Sequence, residues 1–199
     1  RATRWKPFQG WNPGPQGLSR CSRTLKAVRR ASRCNCRFNF LTFISRDYAP
    51  LRLMDPDNPI VKLCAQGMQA EFDGKLDLAR ALFTQAWDAA QDDYEASIAA
   101  HFLARHQDTP EETLRWNLES LARADAVADD RVAAFYPSLY LNLGHSCEVL
   151  GNLEEAARWY DLAAARTEAL QDDRYGGIVQ GGIAAGKARL AAVAGEGSP

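Results

Sequence analysis

The sequence predicts an all-α fold built from consecutive helix–turn–helix units. Through most of residues 59–194, apolar residues recur at three- and four-residue steps, which is the spacing of one helical face. The chain also contains an internal repeat with an offset of 77 residues. Six positions match at that offset, five with the same residue and one with an aromatic residue in both copies: Gly67, Gly74, Leu76, Ala79, Phe83 and Ala86 correspond to Gly144, Gly151, Leu153, Ala156, Tyr160 and Ala163.

The first unit is predicted from its boundary signals. Asn58 is a favourable N-cap residue, and Pro59 suits the first position of the helix that follows. This helix is expected to run to about Phe72. Asp73 and Gly74 then form a turn, because glycine reaches the left-handed conformation without a Cβ clash. The apolar face of the second helix consists of Leu76, Ala79, Phe83, Ala86 and Trp87.

The middle unit, residues 94–136, departs from the regular pattern. Its first helix is expected to span Tyr94 to His106. Thr109-Pro110-Glu111-Glu112 then supplies a capping box for a second helix that reaches Ala126. Asn117 stands where an aromatic residue is expected, so this unit is interpreted as a degenerate copy.

The third unit is expected over residues 137–170. A helix should start near Asp129-Asp130, and Pro137 should either kink it or set its real start. Gly151 ends this helix, and Asn152 with a glutamate three residues later forms a capping box for the next one.

The C-terminal residues 172–194 predict one more helix, broken early at Gly176-Gly177, and residues 195–199 are expected to be disordered. A repeat array needs a terminal helix that covers its last apolar face, so this helix is predicted to be a cap. The run from Gly181 to Lys187 has the outline of a phosphate-binding loop, but the required Ser or Thr is missing and the flanks predict helix. Close helix packing is the preferred interpretation of its glycines.

The order of small and large residues in the third unit resembles the tetratricopeptide repeat, a 34-residue helix–turn–helix unit. The matching residues are Tyr140, Leu143, Gly144, Gly151, Ala156, Tyr160 and Ala163. Cys147 departs from the family, in which an aromatic residue is usual. The resemblance, to the short bacterial type, implies a short right-handed α-solenoid with units at about 60–93, 94–136 and 137–170 and a capping helix at 172–194.

In the family that the chain resembles, the first helix of each unit lines a concave groove that binds peptide or protein segments. The positions carried over are Met68, Glu71, His101, Arg105, Asn142, His145 and Glu148, together with Val61, Cys64, Phe72, Ser97, Leu141 and Val149. The alternative is that several of these residues only pack between helices. Members that hold a C-terminal carboxylate pair a groove Asn with Lys and Arg; Asn142 fits one part of that set, but the lysines are missing.

The sequence carries no recognisable catalytic or metal-binding pattern. The three histidines, His101, His106 and His145, show no zinc spacing, and Cys34-x-Cys36 lacks a second ligand pair. No Ser–His–Asp or Cys–His arrangement is signalled. We therefore expect no catalytic residue, no cofactor and no metal, and the leading hypothesis is a non-catalytic adaptor or scaffold for a protein or peptide partner.

Charge divides the chain into two different parts. Residues 1–53 hold 12 basic residues and one acidic residue, a net charge of +11, whereas residues 54–199 carry −12. Three interpretations of the basic segment remain open: a non-native extension before a start at Met54, a targeting segment, and a disordered arm that neutralises nucleic-acid phosphates. The last supports an alternative function, a nucleic-acid-associated protein or enzyme. An rRNA methyltransferase of this kind would need a glycine-rich loop after a strand, and the sequence has neither.

Cysteine content and hydropathy indicate the compartment. Five cysteines are an odd number, which argues against a complete disulfide framework, and no apolar run reaches the ~18 residues of a membrane helix. A reducing, cytoplasmic environment without membrane contact is expected. Nucleic acid is expected as a partner only if residues 1–53 are native, and self-association through an uncovered repeat face is a third hypothesis.

Overall fold

The computed structural model describes residues 55–127 and 129–196, which belong to one compact unit. Every regular element in this part of the chain is helical, which confirms the predicted all-α class. Its α-helices are α1 (Pro59–Phe72), α2 (Leu76–Ala89), α3 (Asp93–Leu103), α4 (Pro110–Ala126), α5 (Tyr136–Val149), α6 (Leu153–Ala164) and α7 (Arg174–Glu196). Short 3₁₀ segments lie at Ala104–His106, Asp130–Phe135 and Thr167–Ala169. The interpretations of residues 1–53 lie outside the described residues.

The predicted helix starts of the first two units are confirmed by their caps. The side-chain oxygen of Asn58 accepts hydrogen bonds from the backbone N–H groups of Ile60 and Val61, at 2.8 and 3.1 Å. The hydroxyl of Thr109 accepts from the N–H of Glu112 at 3.2 Å. These bonds satisfy backbone donors that have no partner within the first helical turn.

The turns after α1 and α5 repeat each other at the level of single hydrogen bonds. Gly74 and Gly151 have φ values of +73° and +79°, the left-handed conformation that favours glycine. Each glycine N–H donates to the carbonyl three residues back at 3.0 Å. The N–H of the next residue, Lys75 or Asn152, donates to the carbonyl five residues back at 2.8 Å. The 77-residue repeat therefore extends from residue types to backbone geometry.

The third unit agrees with its prediction at the start of its first helix and differs from it at the start of its second. Pro137 does set the start of α5, which begins at Tyr136, and a 3₁₀ segment precedes it with Asp129 as its cap. Asn152 precedes α6, but its side chain makes no capping hydrogen bond, so the predicted capping box is wrong. Its backbone is committed instead to the turn after Gly151, and α6 begins without a side-chain cap.

The C-terminal helix was predicted to break at Gly176-Gly177, and this prediction is wrong. α7 runs without interruption from Arg174 to Glu196, and it therefore includes two residues of the segment expected to be disordered. A Cβ atom at position 176 would lie within 3.0 Å of the carbonyl oxygen of Gln171. Gly176 thus allows the chain before α7 to pass close to the helix, and it does not end the helix.

The core is built from glycine on one helix and an aromatic ring on the next. Phe83 and Tyr160 are completely buried, and the rings lie against Gly67 and Gly144, respectively. A Cβ at Gly144 would lie 2.7 Å from the Tyr160 ring, and one at Gly67 would lie within 3.0 Å of Phe83. Such close approach brings each helix pair together and buries apolar area that stabilises the fold.

Each α-helix packs on the next along the chain. In addition, α1 contacts α3 and α5 contacts α7, whereas α3 and α5 make almost no direct contact. Helix α4 bridges that gap. Ser97 and Ser120 exchange hydrogen bonds with each other's backbone carbonyls between α3 and α4, and the Asn117 amide donates to the Ser146 hydroxyl on α5 at 2.9 Å.

Among the described residues, no helix combines the length and apolar character needed to cross a membrane.

Candidate functional site

Most of the groove residues predicted on α1 and α3 lie in the interior. Met68, Glu71 and His101 are buried. Arg105, in the 3₁₀ segment after α3, is largely enclosed, with 19% of its side chain exposed. Three further positions carried over from the resemblance are buried as well, namely Val61, Cys64 and Ser97.

Glu71, Arg105 and His106 form one group, the first carboxylate cluster. The Arg105 guanidinium binds one oxygen of the Glu71 carboxylate, and His106 Nε2 lies 2.6 Å from the other oxygen. The Arg105 guanidinium also lies over the Phe102 ring, 5.0 Å from its centroid, and Phe102 stacks on Phe83. The cluster is therefore a sealed ion pair that joins α1 to the end of α3, since only 1% of the Glu71 side chain is exposed.

His101 faces the interior as a neutral side chain. Its Nδ1 is buried and has no hydrogen-bond partner among the described residues. Burial lowers the pKa of His101 to about 3, and the charge of Arg105 acts in the same direction. An imidazole with this pKa is uncharged at neutral pH, so His101 carries no charge towards a partner.

Glu148, Tyr160 and Arg189 form the second carboxylate cluster. Arg189, on α7, donates from Nε and Nη2 to the two oxygens of Glu148, at 2.6 and 2.8 Å. The Tyr160 hydroxyl donates to the same carboxylate at 2.6 Å. Burial alone would raise the pKa of Glu148, but the bonds from Arg189 and Tyr160 and the arginine charge outweigh burial and hold that pKa below its usual value. The carboxylate is therefore ionised and fully committed at neutral pH.

The two clusters occupy corresponding places in the chain. Glu148 lies 77 residues after Glu71, and Tyr160 lies 77 residues after Phe83. Arg105 lies directly after α3, and Arg189 lies on α7. Each arginine therefore belongs to the second helix after the one that carries its glutamate, or to the segment that follows that helix. The second cluster is more open, because 18% of the Glu148 side chain and 48% of the Arg189 side chain are exposed.

The remaining predicted groove residues lie on the surface of α5. His145 is exposed and Asn142 is half-buried. One turn after His145, the Val149 side chain is 48% exposed, and Phe72, at the matching position of α1, is 56% exposed. We define the open stripe as Asn142, His145 and Val149. Within the described part of the chain, neither Asn142 nor His145 has a hydrogen-bond partner.

The two described thiols are held in their protonated form. Burial raises the pKa of Cys64 to about 12, against the opposing charge of Arg105. Burial and the charge of Glu155 raise the pKa of Cys147 to about 11. The thiolate is the nucleophilic form of cysteine, so these two side chains serve as small apolar core residues at neutral pH. Within residues 55–127 and 129–196, no group of three His, Cys, Asp or Glu side chains is arranged to hold a metal ion.

The glycines between Gly181 and Lys187 lie inside α7, where they allow close helix packing. A Cβ at Gly182 would lie 2.9 Å from Leu141, and one at Gly186 would lie within 3.0 Å of the Tyr160 ring. The backbone of this run is α-helical and not the loop that a phosphate-binding motif requires.

Sequence reasoning missed His106 and Arg189 as partners of the two glutamates. Arg189 lies 41 residues after Glu148, and no short motif links them. The only feature of the sequence that could have indicated these partners is the 77-residue repeat. Once Glu71 and Glu148 are recognised as equivalent, a cation can be sought on the helix that follows each pair.

The chain matches no protein-family model, no curated protein and no solved structure. Function is therefore inferred from the side chains of this chain.

Proposed function

We propose that this protein is a non-catalytic adaptor of the tetratricopeptide type, which binds a protein or peptide segment on the exposed surface of its first helices α1 and α5. The repeated turn geometry and the paired glycine and aromatic positions support the assignment to this repeat class. In such arrays each unit packs on its neighbours, and the surface of the first helices is left for partners.

The observation that carries the proposal is the exposure of large apolar side chains at equivalent positions, Phe72 on α1 and Val149 on α5. Both residues directly follow the glutamate of a carboxylate cluster. Exposed apolar surface rimmed by polar residues marks many protein–protein interaction sites. Asn142 and His145 supply such polar groups on α5.

Site-specific photo-crosslinking tests the proposal. A photoreactive amino acid at position 149 of the full chain should crosslink a defined partner in the producing cells. The same amino acid at position 162 is the matched control, because Leu162 is 45% exposed but lies on a second helix, α6. Equal crosslinking from both positions, or none from position 149, would contradict the adaptor proposal.

A second candidate function is nucleic-acid binding by residues 1–53, and the net charge of +11 favours it. Phosphate contacts release counterions, so the affinity for RNA or DNA should fall steeply with salt. Full-length protein with glutamine at Arg29, Arg30 and Arg33 should bind more weakly and with a smaller salt slope, whereas Arg158→Gln on α6 should have no effect. Equal slopes for these variants and the wild type would exclude this function.

A further inference from the structure

We propose that the described unit contains a hinge at the contact between α4 and α5. The helices α1 to α4, residues 59–126, form an N-terminal block, and α5 to α7, residues 136–196, form a C-terminal block. Each block moves as a rigid body, and the angle between the two blocks changes at the hinge. The hinge is a property of the chain itself and does not depend on the proposed adaptor function.

First helices stack on each other within each block but not between the blocks. Helix α1 contacts α3 in the N-terminal block, and α5 contacts α7 in the C-terminal block. Among the described residues, α3 and α5 make almost no direct contact, so the N-terminal block holds α5 mainly through α4. The connecting segment 127–135 is also much longer than the turns 73–75 and 150–152 that follow α1 and α5. The angle between the blocks therefore depends largely on the contact between α4 and α5.

That contact contains a buried polar pair. Asn117 Nδ2 on α4 donates to Ser146 Oγ on α5 at 2.9 Å, and both side chains are buried. A hydrogen bond between neutral groups can be exchanged for hydrogen bonds to water at little net cost. Opening of this contact therefore loses little from the polar pair.

The two equivalent junctions of the array contain aromatic rings instead. Phe83 on α2 stacks on Phe102 of α3, with the ring centroids 5.4 Å apart. Tyr160 on α6 packs against Gly186 of α7. Asn117 stands at the position of these two rings in the middle unit, where the aromatic residue was expected. Exposure of a buried ring loses apolar burial, so the junction at Asn117 opens more readily than the other two.

The helices of the N-terminal block are fastened to each other by polar contacts. The first carboxylate cluster joins α1 to the segment after α3. Between α3 and α4, Ser97 and Ser120 exchange hydrogen bonds with each other's carbonyls at 3.0 and 2.8 Å. Arg123 on α4 also binds Asp93 on α3 at 2.9 Å. Helix α4 is therefore tied to α3 and moves with the N-terminal block.

The C-terminal block is fastened in the same way. Arg189 on α7 binds Glu148 on α5, and Lys187 on α7 binds Asp161 on α6 at 2.6 Å. The Tyr160 hydroxyl, on α6, donates to Glu148 as well. These contacts join all three helices, so the C-terminal block moves as one body.

The axis of the hinge lies beside the connecting segment. The Tyr136 hydroxyl, at the start of α5, donates to Asp125, at the end of α4, at 2.9 Å. Asn117 lies eight residues before Asp125, or about 12 Å along α4, and Ser146 lies ten residues after Tyr136, or about 15 Å along α5. Rotation about an axis near Asp125 and Tyr136 therefore separates Asn117 from Ser146 and leaves the contact near the axis in place.

The hinge would change the relative position of the exposed first-helix surfaces. Phe72 lies on α1 in the N-terminal block, and the open stripe lies on α5 in the C-terminal block. A partner that contacts both surfaces would select one angle between the blocks.

Double electron–electron resonance on the full chain tests the hinge. A ketone-bearing amino acid carries the spin label, so the five native cysteines stay unchanged. Positions 81 and 158 span the hinge, whereas 81 with 122 and 158 with 188 each lie within one block, and all four positions are exposed. The distance distribution of the spanning pair should be at least about twice as wide as those of the control pairs, because only that pair reports the angle between the blocks. Equal widths for all three pairs would overturn the inference.

Two double variants assign the motion to the contact between α4 and α5. Asn117→Leu with Ser146→Ala makes this contact apolar and should narrow the spanning distribution to the width of the control pairs, because opening then exposes apolar area. Ser97→Ala with Ser120→Ala removes hydrogen bonds within the N-terminal block and should leave the spanning distribution as wide as in the wild type. Circular dichroism confirms that the variants are folded, and the wild-type comparison decides by itself if one is not. An unchanged width in the first double variant, or the same narrowing in both, would overturn the inference.

Discussion

At the scale of single residues, the Tyr160 ring shows why glycine is required at particular positions. The ring lies between Gly144 on α5 and Gly186 on α7, and a Cβ on either glycine would come within 3.0 Å of it. The ring is fully buried, yet its hydroxyl reaches Glu148. Two missing side chains thus provide space for one large ring, which connects three helices and orients the second carboxylate cluster.

Replacement of Gly186 tests this packing. Gly186→Ala should lower the free energy of unfolding by about 1–3 kcal/mol, because the added methyl group overpacks a rigid, buried ring. Gly181→Ala in the same helix should instead raise it by about 0.5–1 kcal/mol, since no atom lies near that site and alanine favours the helix. Urea unfolding of both variants measures the difference, and equal effects would contradict the proposed role of Gly186.

The second carboxylate cluster should make stability depend on pH in the acid range. The folded-state pKa of Glu148 lies below its ordinary value of 4.5, so the stabilisation is present above about pH 4.5 and is lost as the pH falls through the folded-state pKa. Glu148→Gln should therefore be less stable than the wild type at pH 7, and the two should converge in acid. Thermal unfolding across this range checks the prediction, with the exposed Glu154→Gln expected to show no such convergence.

At the scale of elements, the carboxylate clusters fasten helices that are not neighbours in the sequence. Glu71 ties α1 to the segment after α3, and Glu148 ties α5 to α7. The turns at Gly74 and Gly151 join the helices of each pair, whereas these ion pairs join α1 to the segment after α3 and α5 to α7. Loss of one partner is costly where the pair is enclosed, because the other charge is left without its counterion, whereas an ion pair in water contributes little.

Glu71→Gln should destabilise the protein by about 3–5 kcal/mol, because it leaves the enclosed Arg105 charge without its counterion. Asp108→Asn is the matched control. It removes the exposed pair between Asp108 and Arg80, and its effect on the unfolding midpoint should be small. Denaturant unfolding distinguishes the two, and similar midpoints for both variants would show that the first cluster does not fasten α1 to α3.

At the scale of the whole described unit, burial is uneven from helix to helix. All residues of α3 from Tyr94 to Leu103 are buried except Glu95, which is half-buried. The end of α7 from Ala191 to Gly195 is exposed. Helix α3 therefore lies at the centre of the unit, whereas α7 packs against α5 and α6 and leaves its C-terminal end exposed.

Amide hydrogen exchange should follow this distribution. The amides of α3 should exchange most slowly, near the rate set by global unfolding, whereas those after Ala191 should exchange fastest among the helical residues. Mass spectrometry of peptic fragments measures both. Exchange in α3 as fast as in the end of α7 would contradict a unit that is centred on α3.

Sequence reasoning succeeded where the causes are local. Helix periodicity, the Asn58 cap and the left-handed glycines depend on neighbouring residues, and all three are found in the structure. The predicted helix break at Gly176 is wrong, because glycine is needed there for the close approach of the Gln171 carbonyl. The predicted capping box at Asn152 is also wrong, because its side chain makes no capping hydrogen bond. For the candidate site it indicated the positions on α5, but it did not identify Arg189 as the partner of Glu148.

The amino-acid sequence alone determined the helical class, the approximate helix boundaries and the 77-residue repeat, because these follow from the spacing of apolar residues and the conformational preferences of glycine and proline. Only the tertiary structure decided which of the predicted groove positions are exposed and which charges are neutralised. Those properties depend on contacts between residues 34 to 41 positions apart, such as Glu71 with Arg105 and Glu148 with Arg189. Burial keeps His101 a neutral core side chain, whereas His145 and Val149 on α5 remain exposed.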